Sequence, residues 1–169
     1  MTEFVFAYAS LLGLAPAGPC VLRDHARGWD VAMDNRETIP GYKFYVDPET
    51  GERPPVYVAF IAIRPEPGAT VAGEVFAVDD GALAALDARE RNYDRRDVSE
   101  MVDLAASAGG EDARRRVWAY VGSAAGRARC AAGRAAGTAV ISEEYLAGVP
   151  ADVPPDLPVR PLLRRDVRA

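Results

Sequence analysis

Short apolar runs, separated by turn-forming residues, predict that much of this chain is β-sheet. Each run is rich in β-branched and aromatic side chains, which favours strands over helices. These runs are residues 4–8, 42–46, 56–63 and 71–78. The run 56–63 is apolar on both faces, so it predicts a central strand covered on two sides. Turn chemistry at residues 47–51 predicts a hairpin with this strand as its second arm. The prolines and glycine of residues 65–68 then predict a break before the last run.

A short helix is predicted directly after the last of these strands. Asp79 or Asp80 can cap its first turn, and alanines and leucines carry it onward. Because positions i, i+3 and i+7 of a helix point the same way, Leu83, Leu86 and Glu90 share one stripe. Glu90 is therefore expected to face inward. A carboxylate beneath apolar neighbours loses solvation and its pKa tends to rise, which suits a group that takes and returns a proton.

The same position also suits a structural acid. An inward glutamate on a short helix often pairs with an arginine, and Arg95 and Arg96 follow within reach of a turn. The pattern around Glu90 therefore leaves catalysis and structural pairing both open.

Small residues follow the first strand. Ala9 and Ser10 come directly after Tyr8, and they would let a ligand approach the backbone closely. Backbone N–H groups freed from the sheet at such a point can bind an anion or a developing oxyanion. An ordinary strand end without a ligand has the same pattern, so both interpretations remain open.

Residues beyond the helix predict one more hairpin and then an irregular connection. The runs 95–104 and 114–121 have the composition of strands, and the small polar residues 105–112 between them predict a loop. Residues 123–137 are rich in alanine, glycine and arginine without a clean period, so we expect a mobile or irregular segment there.

The C-terminal residues predict an extended arm. Residues 142–146 have the pattern of a first helical turn, and prolines recur through residues 150–161. We therefore expect one domain over residues 1–146 and a proline-rich arm over residues 147–169.

Composition and charge narrow the function classes. The chain has 169 residues, of which 49% are hydrophobic, and this is enough for one compact core. Its formal net charge of -5 disfavours nucleic acid and anionic membranes as partners and favours a small molecule. No apolar run approaches the roughly 20 residues of a membrane span, and the start has no basic segment before an apolar stretch, so we expect a cytoplasmic location.

Cysteine and histidine are scarce. Cys20 and Cys130 lie far apart, and neither has a second cysteine or a histidine at ligand spacing, so we expect two reduced thiols and no metal. His25 is the only histidine, and within its polar stretch we expect it at the surface without a role. Acid–base chemistry is therefore expected to use a carboxylate.

Several motifs, taken in order, resemble those of a known family. The chain reads FAYASLL at residues 6–12, GEVF at 73–76, LDARE at 86–90, YDRRDV at 93–98 and VWAYV at 117–121. The first resembles the tyrosine-glycine-serine signature of the γ-glutamylcyclotransferase-like family, which includes the plant AIG2-like proteins. The others resemble that family's strand, helix, acidic segment and later aromatic strand. The resemblance implies an α+β fold, a small mixed β-barrel with helices packed outside it.

The resemblance also implies an activity that needs no cofactor. In that family the glutamate that matches Glu90 is the proposed acid–base residue, and the backbone that matches Ala9 and Ser10 binds the substrate. The implied reaction is an attack by the free α-amine of a γ-glutamyl group on its own γ-carbonyl, which yields 5-oxoproline and a free amine. The implied substrate-binding residues are Tyr8, Ala9, Ser10, Leu11, Tyr93 and Tyr120.

One departure from the family pattern leaves alternatives. Ala9 stands where the family signature has glycine, and this replacement introduces strain if the position needs a positive φ, or only a methyl group beside the substrate if it does not. Two alternatives are a non-catalytic member of the same fold that binds a small metabolite or a protein, and an amide hydrolase in which Glu90 activates water. The sequence indicates neither the leaving amine nor the oligomeric state.

Overall fold

The computed structural model describes residues 3–13, 18–104 and 115–168, without the side chain of Leu104. Strands dominate these ranges, and the helices are few. In chain order the elements are β1 (Glu3–Ala7), β2 (Gly18–Asp34), β3 (Lys43–Val46), β4 (Tyr57–Val78), α1 (Asp80–Arg89), β5 (Tyr93–Asp97), β6 (Val102–Leu104), β7 (Arg116–Gly122), α2 (Ala124–Ala135), β8 (Ala139–Ser142), α3 (Glu143–Ala147), β9 (Val159–Arg160) and β10 (Leu163–Asp166). The predicted α+β class is confirmed.

The chain divides into two compact units, and each is described by itself. The first contains residues 1–28 and 62–121, and the second contains residues 29–61 and 122–169. The boundary expected between residues 146 and 147 remains a prediction.

The first unit is built on a curled, mixed sheet. Its strand order is β5-β7-β1-β4-β2-β6. Strand β1 is antiparallel to β4, with Phe6 opposite Val75, and parallel to β7, with Val5 opposite Trp118. Strand β4 also pairs directly with β7, where Ile63 lies opposite Val121. Because β4 contacts β7 both directly and through β1, the sheet curls instead of lying flat, as the predicted barrel-like fold requires.

Apolar side chains of α1 pack on this sheet. Leu83 is buried in one cluster with Val5, Ala7, Leu11 and Tyr120, and Leu86 packs against the same cluster. This burial confirms the predicted helix and its inward stripe.

The break predicted at residues 65–68 is wrong, because β4 runs without interruption from Tyr57 to Val78. Gly68 has φ +82°, a left-handed conformation that glycine adopts without a steric penalty, so the strand continues through this residue. The Gly68 N–H donates to the Asp24 carboxylate on β2 at 2.8 Å.

His25, next to Asp24 in the chain, is buried, with Nδ1 2.9 Å from the Arg23 carbonyl oxygen, so its predicted surface location is also wrong.

Pairing in the second unit differs from the predicted hairpin. Strand β3 pairs antiparallel with β10, with Lys43 opposite Asp166 and Val46 opposite Leu163. The turn chemistry is present, since the Gly51 N–H donates to the Asp47 carbonyl at 2.9 Å. A turn with the right residues therefore follows β3, but the partner of β3 comes from the end of the chain.

The irregular connection predicted at residues 123–137 is a helix, α2. Ser123 caps it by accepting from the Gly126 N–H at 3.0 Å. Its buried residues are Gly126, Cys130 and Gly133, and a β-carbon added to Gly133 would lie 2.9 Å from the Tyr57 β-carbon. The helix therefore buries a face of small residues, in which Gly133 packs on Tyr57, and such a face leaves no apolar stripe in the sequence.

Residues after α3 are tied into the second unit by hydrogen bonds. The start of α3 agrees with the predicted helical turn. Beyond it, the Trp29 indole N–H donates to the Pro154 carbonyl at 3.1 Å, Arg134 pairs with Asp156 at 2.8 Å, and the Ser142 hydroxyl donates to the Leu162 carbonyl at 3.1 Å. The loop predicted at residues 105–112 lies outside the described residues. No helix in the described ranges has the length and apolar character needed to cross a membrane.

Both cysteines are free and buried. Burial, with a smaller contribution from the charge of Glu74, raises the pKa of the Cys20 thiol from 9.0 to about 11. Burial likewise raises the pKa of Cys130. Both thiols are therefore protonated near neutral pH, and the thiol form is a poor nucleophile.

We expect the native protein to react slowly with a soluble disulfide reagent at about pH 8, because neither thiol ionises there and both are sheltered. In denaturant both cysteines should react within minutes. The check is the absorbance of the released chromophore in native and unfolded samples. Rapid reaction of a thiol in the native protein would contradict the burial described for it.

Candidate functional site

An open cleft of about 450 Å³ lies in the first unit, where the end of α1 meets β5 and β7. Its lining is mostly charged, with two tyrosines among the acids and arginines. The lining residues are Asp87, Glu90, Tyr93, Asp94, Arg95, Arg96 and Tyr120. The cleft therefore combines a candidate proton carrier, neutral hydroxyl groups and cations in one place.

The local structure of α1 places Glu90 at this cleft. The Asp79 carboxylate caps the helix by accepting from the Ala82 N–H at 2.7 Å. Leu83 anchors the helix in the core, and the helix ends at Glu90, whose own N–H donates to the Leu86 carbonyl at 2.8 Å. The Glu90 side chain is only 13% exposed, so it faces inward as the stripe predicts.

Ion pairs connect the acids and arginines at and beside the cleft. These pairs are Arg89–Glu90 at 3.2 Å, Arg95–Asp87 at 3.0 Å and Arg96–Asp94 at 3.4 Å. The two arginines considered as structural partners for Glu90 thus form ion pairs with other carboxylates. Arg89 is half exposed, so water screens its attraction for Glu90.

Tyr120 is fixed at the wall of the cleft. Its hydroxyl donates to Asp87 Oδ1 at 2.8 Å, and its backbone carbonyl accepts from the Tyr8 hydroxyl at 2.6 Å. Burial, the bond to Asp87 and the negative charges of Asp87 and Glu90 raise the pKa of Tyr120. Tyr120 is therefore a neutral phenol near neutral pH.

The small-residue segment after β1 forms a tight turn. The Leu12 N–H donates to the Ala9 carbonyl at 3.1 Å, and the Gly13 N–H donates to the Glu74 carboxylate at 3.0 Å. Asp24 is the only non-glycine residue with positive φ in the described ranges, so Ala9 replaces the family's glycine without backbone strain. Ala9 and Leu11 are buried, and Ser10 is exposed.

The structure brings together only part of the predicted site. Glu90, Tyr93 and Tyr120 line the cleft. Tyr8 and Leu11 are not among the described lining residues, but the Tyr8 hydroxyl donates to the Tyr120 carbonyl and Leu11 packs in the core cluster that includes Tyr120. Ala9 and Ser10 are not part of this lining, as far as the described residues define it.

Sequence reasoning missed Asp87 and Arg95. Asp87 lies three residues before Glu90, a spacing that puts two side chains on one helix face. Arg95 lies two residues after Tyr93, a spacing that puts both on one face of a strand. Each spacing can be read from the sequence. That Asp87 and Arg95 lie together, however, follows only from the packing of the end of α1 against β5. No cluster of three His, Cys, Asp or Glu side chains suited to a metal ion occurs among the described residues.

A family model described as gamma-glutamyl cyclotransferase, AIG2-like, matches residues 5–139 of the chain. No curated protein matches it. A solved structure named gamma-glutamyl cyclotransferase is 19% identical, with a TM-score of 0.45, over 73% of this chain and 68% of that chain. YkqA from Bacillus subtilis is 15% identical, with a TM-score of 0.47, over 72% of this chain and 40% of that chain. A protein from Arabidopsis thaliana is 21% identical, with a TM-score of 0.42, over 72% of this chain and 62% of that chain.

Proposed function

Because the chain belongs to the gamma-glutamyl cyclotransferase, AIG2-like family, we propose that it converts a γ-glutamyl amine or peptide to 5-oxoproline and a free amine. The observation that carries the proposal is the position of Glu90, a carboxylate 13% exposed at the wall of an open cleft. Such a group is sheltered enough to hold a proton near a substrate and open enough to reach one.

In the proposed reaction Glu90 acts as base and then as acid. It takes a proton from the α-ammonium of the γ-glutamyl group, and the freed amine attacks the γ-carbonyl carbon. The new C–N bond closes a five-membered ring and leaves a tetrahedral oxyanion. The bond to the leaving nitrogen then breaks as Glu90 returns the proton to that nitrogen. The ring nitrogen, which is positively charged after the attack, loses its remaining extra proton to solvent, and the released amine takes up a proton to leave as the ammonium. Since both reacting groups belong to one molecule, holding the glutamyl chain folded supplies much of the rate.

The proposed role of the Ala9–Leu12 turn is to bind the substrate end and the oxyanion. The bond that closes this turn uses the Leu12 N–H, so the N–H groups of Ala9 and Ser10 take no part in it. Tyr8 directly precedes the turn, and its hydroxyl is bonded to the Tyr120 backbone at the cleft wall. The substrate must therefore extend from Glu90 past Tyr120 towards this turn.

The ion pair between Arg89 and Glu90 favours one alternative, a binding protein without catalysis. In that case the pair would persist and Glu90 would not exchange a proton with a ligand. Because Arg89 is 51% exposed, however, the pair is solvent-screened and weak. A weak pair of this kind leaves Glu90 able to exchange Arg89 for a substrate ammonium.

Product analysis tests the proposal. The protein is incubated with a panel of γ-glutamyl peptides and amines, and the products are separated by chromatography and identified by mass. We expect 5-oxoproline together with the free amine from at least one panel member. Glutamate in place of 5-oxoproline would indicate the hydrolase, and saturable binding without any product would indicate the binding protein.

A further inference from the structure

We infer that Arg95 binds the α-carboxylate of the substrate, and this inference rests on the proposed function. It deepens that function by assigning a residue to the α-carboxylate that a γ-glutamyl substrate carries beside the reacting amine. The observations behind it are the anchoring of Arg95, its place at the cleft beside Glu90, and the contrast with the other arginines nearby.

Arg95 is held on two sides. Its Nη1 lies 3.0 Å from Asp87 Oδ2, and its guanidinium carbon lies 4.6 Å from the centre of the Trp118 ring. Asp87 is itself fixed, because its other oxygen accepts from the Tyr120 hydroxyl at 2.8 Å. A guanidinium held by a salt bridge and a ring face loses little further conformational entropy when a ligand binds.

Arg95 keeps the capacity to bind an anion. The ion pair with Asp87 is formed through Nη1, while a guanidinium has further N–H donors on Nη2 and Nε in a planar fork that matches a carboxylate. Asp87 divides its oxygens between Tyr120 and Arg95, so it neutralises the arginine only in part. The Arg95 side chain is 30% exposed at the cleft, which leaves a ligand access to it.

The negative charges of the cleft explain why binding of an α-carboxylate needs Arg95. The α-carboxylate and the α-ammonium are bonded to the same carbon, so a substrate whose ammonium meets Glu90 brings its carboxylate into the same cleft. Glu90 repels that carboxylate, and Asp87 and Asp94 add to the repulsion. A cation must lie close by to offset this. Arg96 also lines the cleft, but its side chain is 66% exposed, so water screens it more strongly.

The experiment compares two substrates that differ only in the α-carboxylate. The first is a γ-glutamyl amide from the panel above, and the second is the 4-aminobutyryl amide of the same amine, which would close to 2-pyrrolidone. For the wild type we expect kcat/KM to be about 10- to 100-fold higher for the γ-glutamyl amide, the range typical of hydrogen bonds to charged groups. Arg95→Met should remove this preference by lowering only the γ-glutamyl value, and Arg95→Lys should restore part of it.

Arg116→Met is the matched control. Arg116 stacks on the same Trp118 ring, at 5.5 Å, but its ion pairs are with Glu3 and Asp97, outside the cleft lining. It should keep the wild-type preference. Thermal unfolding of each variant reports whether it is folded. If Arg95→Met does not fold, the comparison is made with Arg95→Lys.

The outcomes separate the inference from the proposed function. If the wild type forms 5-oxoproline but the arginine variants lower kcat/KM equally for both substrates, the inference is wrong and the function stands. If the wild type forms no 5-oxoproline, the function fails, and calorimetric binding of 5-oxoproline and 2-pyrrolidone decides the inference. Tighter binding of 5-oxoproline that is lost in Arg95→Met supports the carboxylate site, whereas equal or absent binding overturns it.

Discussion

Glu90→Gln is expected to lower kcat for 5-oxoproline formation by at least about 100-fold, the range in which general acid–base catalysis acts. The amide nearly matches the carboxylate in shape, but it cannot take a proton from the substrate ammonium or return one to the leaving nitrogen. Since the side chain is largely sheltered by its surroundings, water has little room to replace it as the base. The measurement is the steady-state rate of 5-oxoproline release by wild type and variant.

Asp94→Asn is the matched control for Glu90→Gln. Asp94 lines the same cleft and carries the same charge, but it is half exposed and paired with Arg96. Its amide variant should keep kcat within about threefold of the wild type, because solvent screens the lost charge. Equal losses in both variants would indicate a general effect of cleft charge and would contradict the specific role proposed for Glu90.

Gly73→Ala is expected to lower the free energy of unfolding by about 3 kcal/mol, at the upper end of the usual range for overpacking. A β-carbon at Gly73 would collide with the Ala7 carbonyl oxygen and would lie 2.6 and 2.7 Å from two atoms of the Phe6 ring. The carbonyl belongs to β1, which is paired with β4 where Ala7 lies opposite Glu74. Relief of the collision therefore requires β1 and β4 to separate.

Gly81→Ala provides the control for this substitution. Gly81 is exposed near the start of α1, and an added β-carbon would meet only Asp79 Oδ1, at 3.4 Å. Since alanine favours helix more than glycine does, this variant should be as stable as the wild type or more so. Denaturant titrations of both variants give the comparison. A Gly73→Ala protein with wild-type stability would contradict the close approach of β1 and β4.

Elements with strong local signals were the predictable ones. Helix α1 has a capping aspartate and a leucine stripe, and both act as the pattern predicts. Helix α2 was missed because glycines and a cysteine form its buried face. The predicted hairpin of β3 with the following strand was wrong, because β3 pairs instead with β10. A partner that lies so far along the chain cannot be read from local turn chemistry.

The candidate site shows the same division. The inward direction of Glu90 follows from helical spacing alone, without knowledge of the rest of the fold. The pairing of Asp87 with Arg95 depends on how the end of α1 meets β5, which local spacing does not encode. The sequence pattern likewise did not predict that Ala9 and Ser10 lie outside the described cleft lining.

Mass analysis of the product formed in water labelled with heavy oxygen tests the central claim most directly. In the proposed reaction the amine attacks the carbonyl of its own molecule, so no oxygen from water enters the product. We expect unlabelled 5-oxoproline from the wild type and none above background from Glu90→Gln. Glutamate that carries the heavy oxygen in its γ-carboxylate would show that water is the nucleophile, and it would contradict the account.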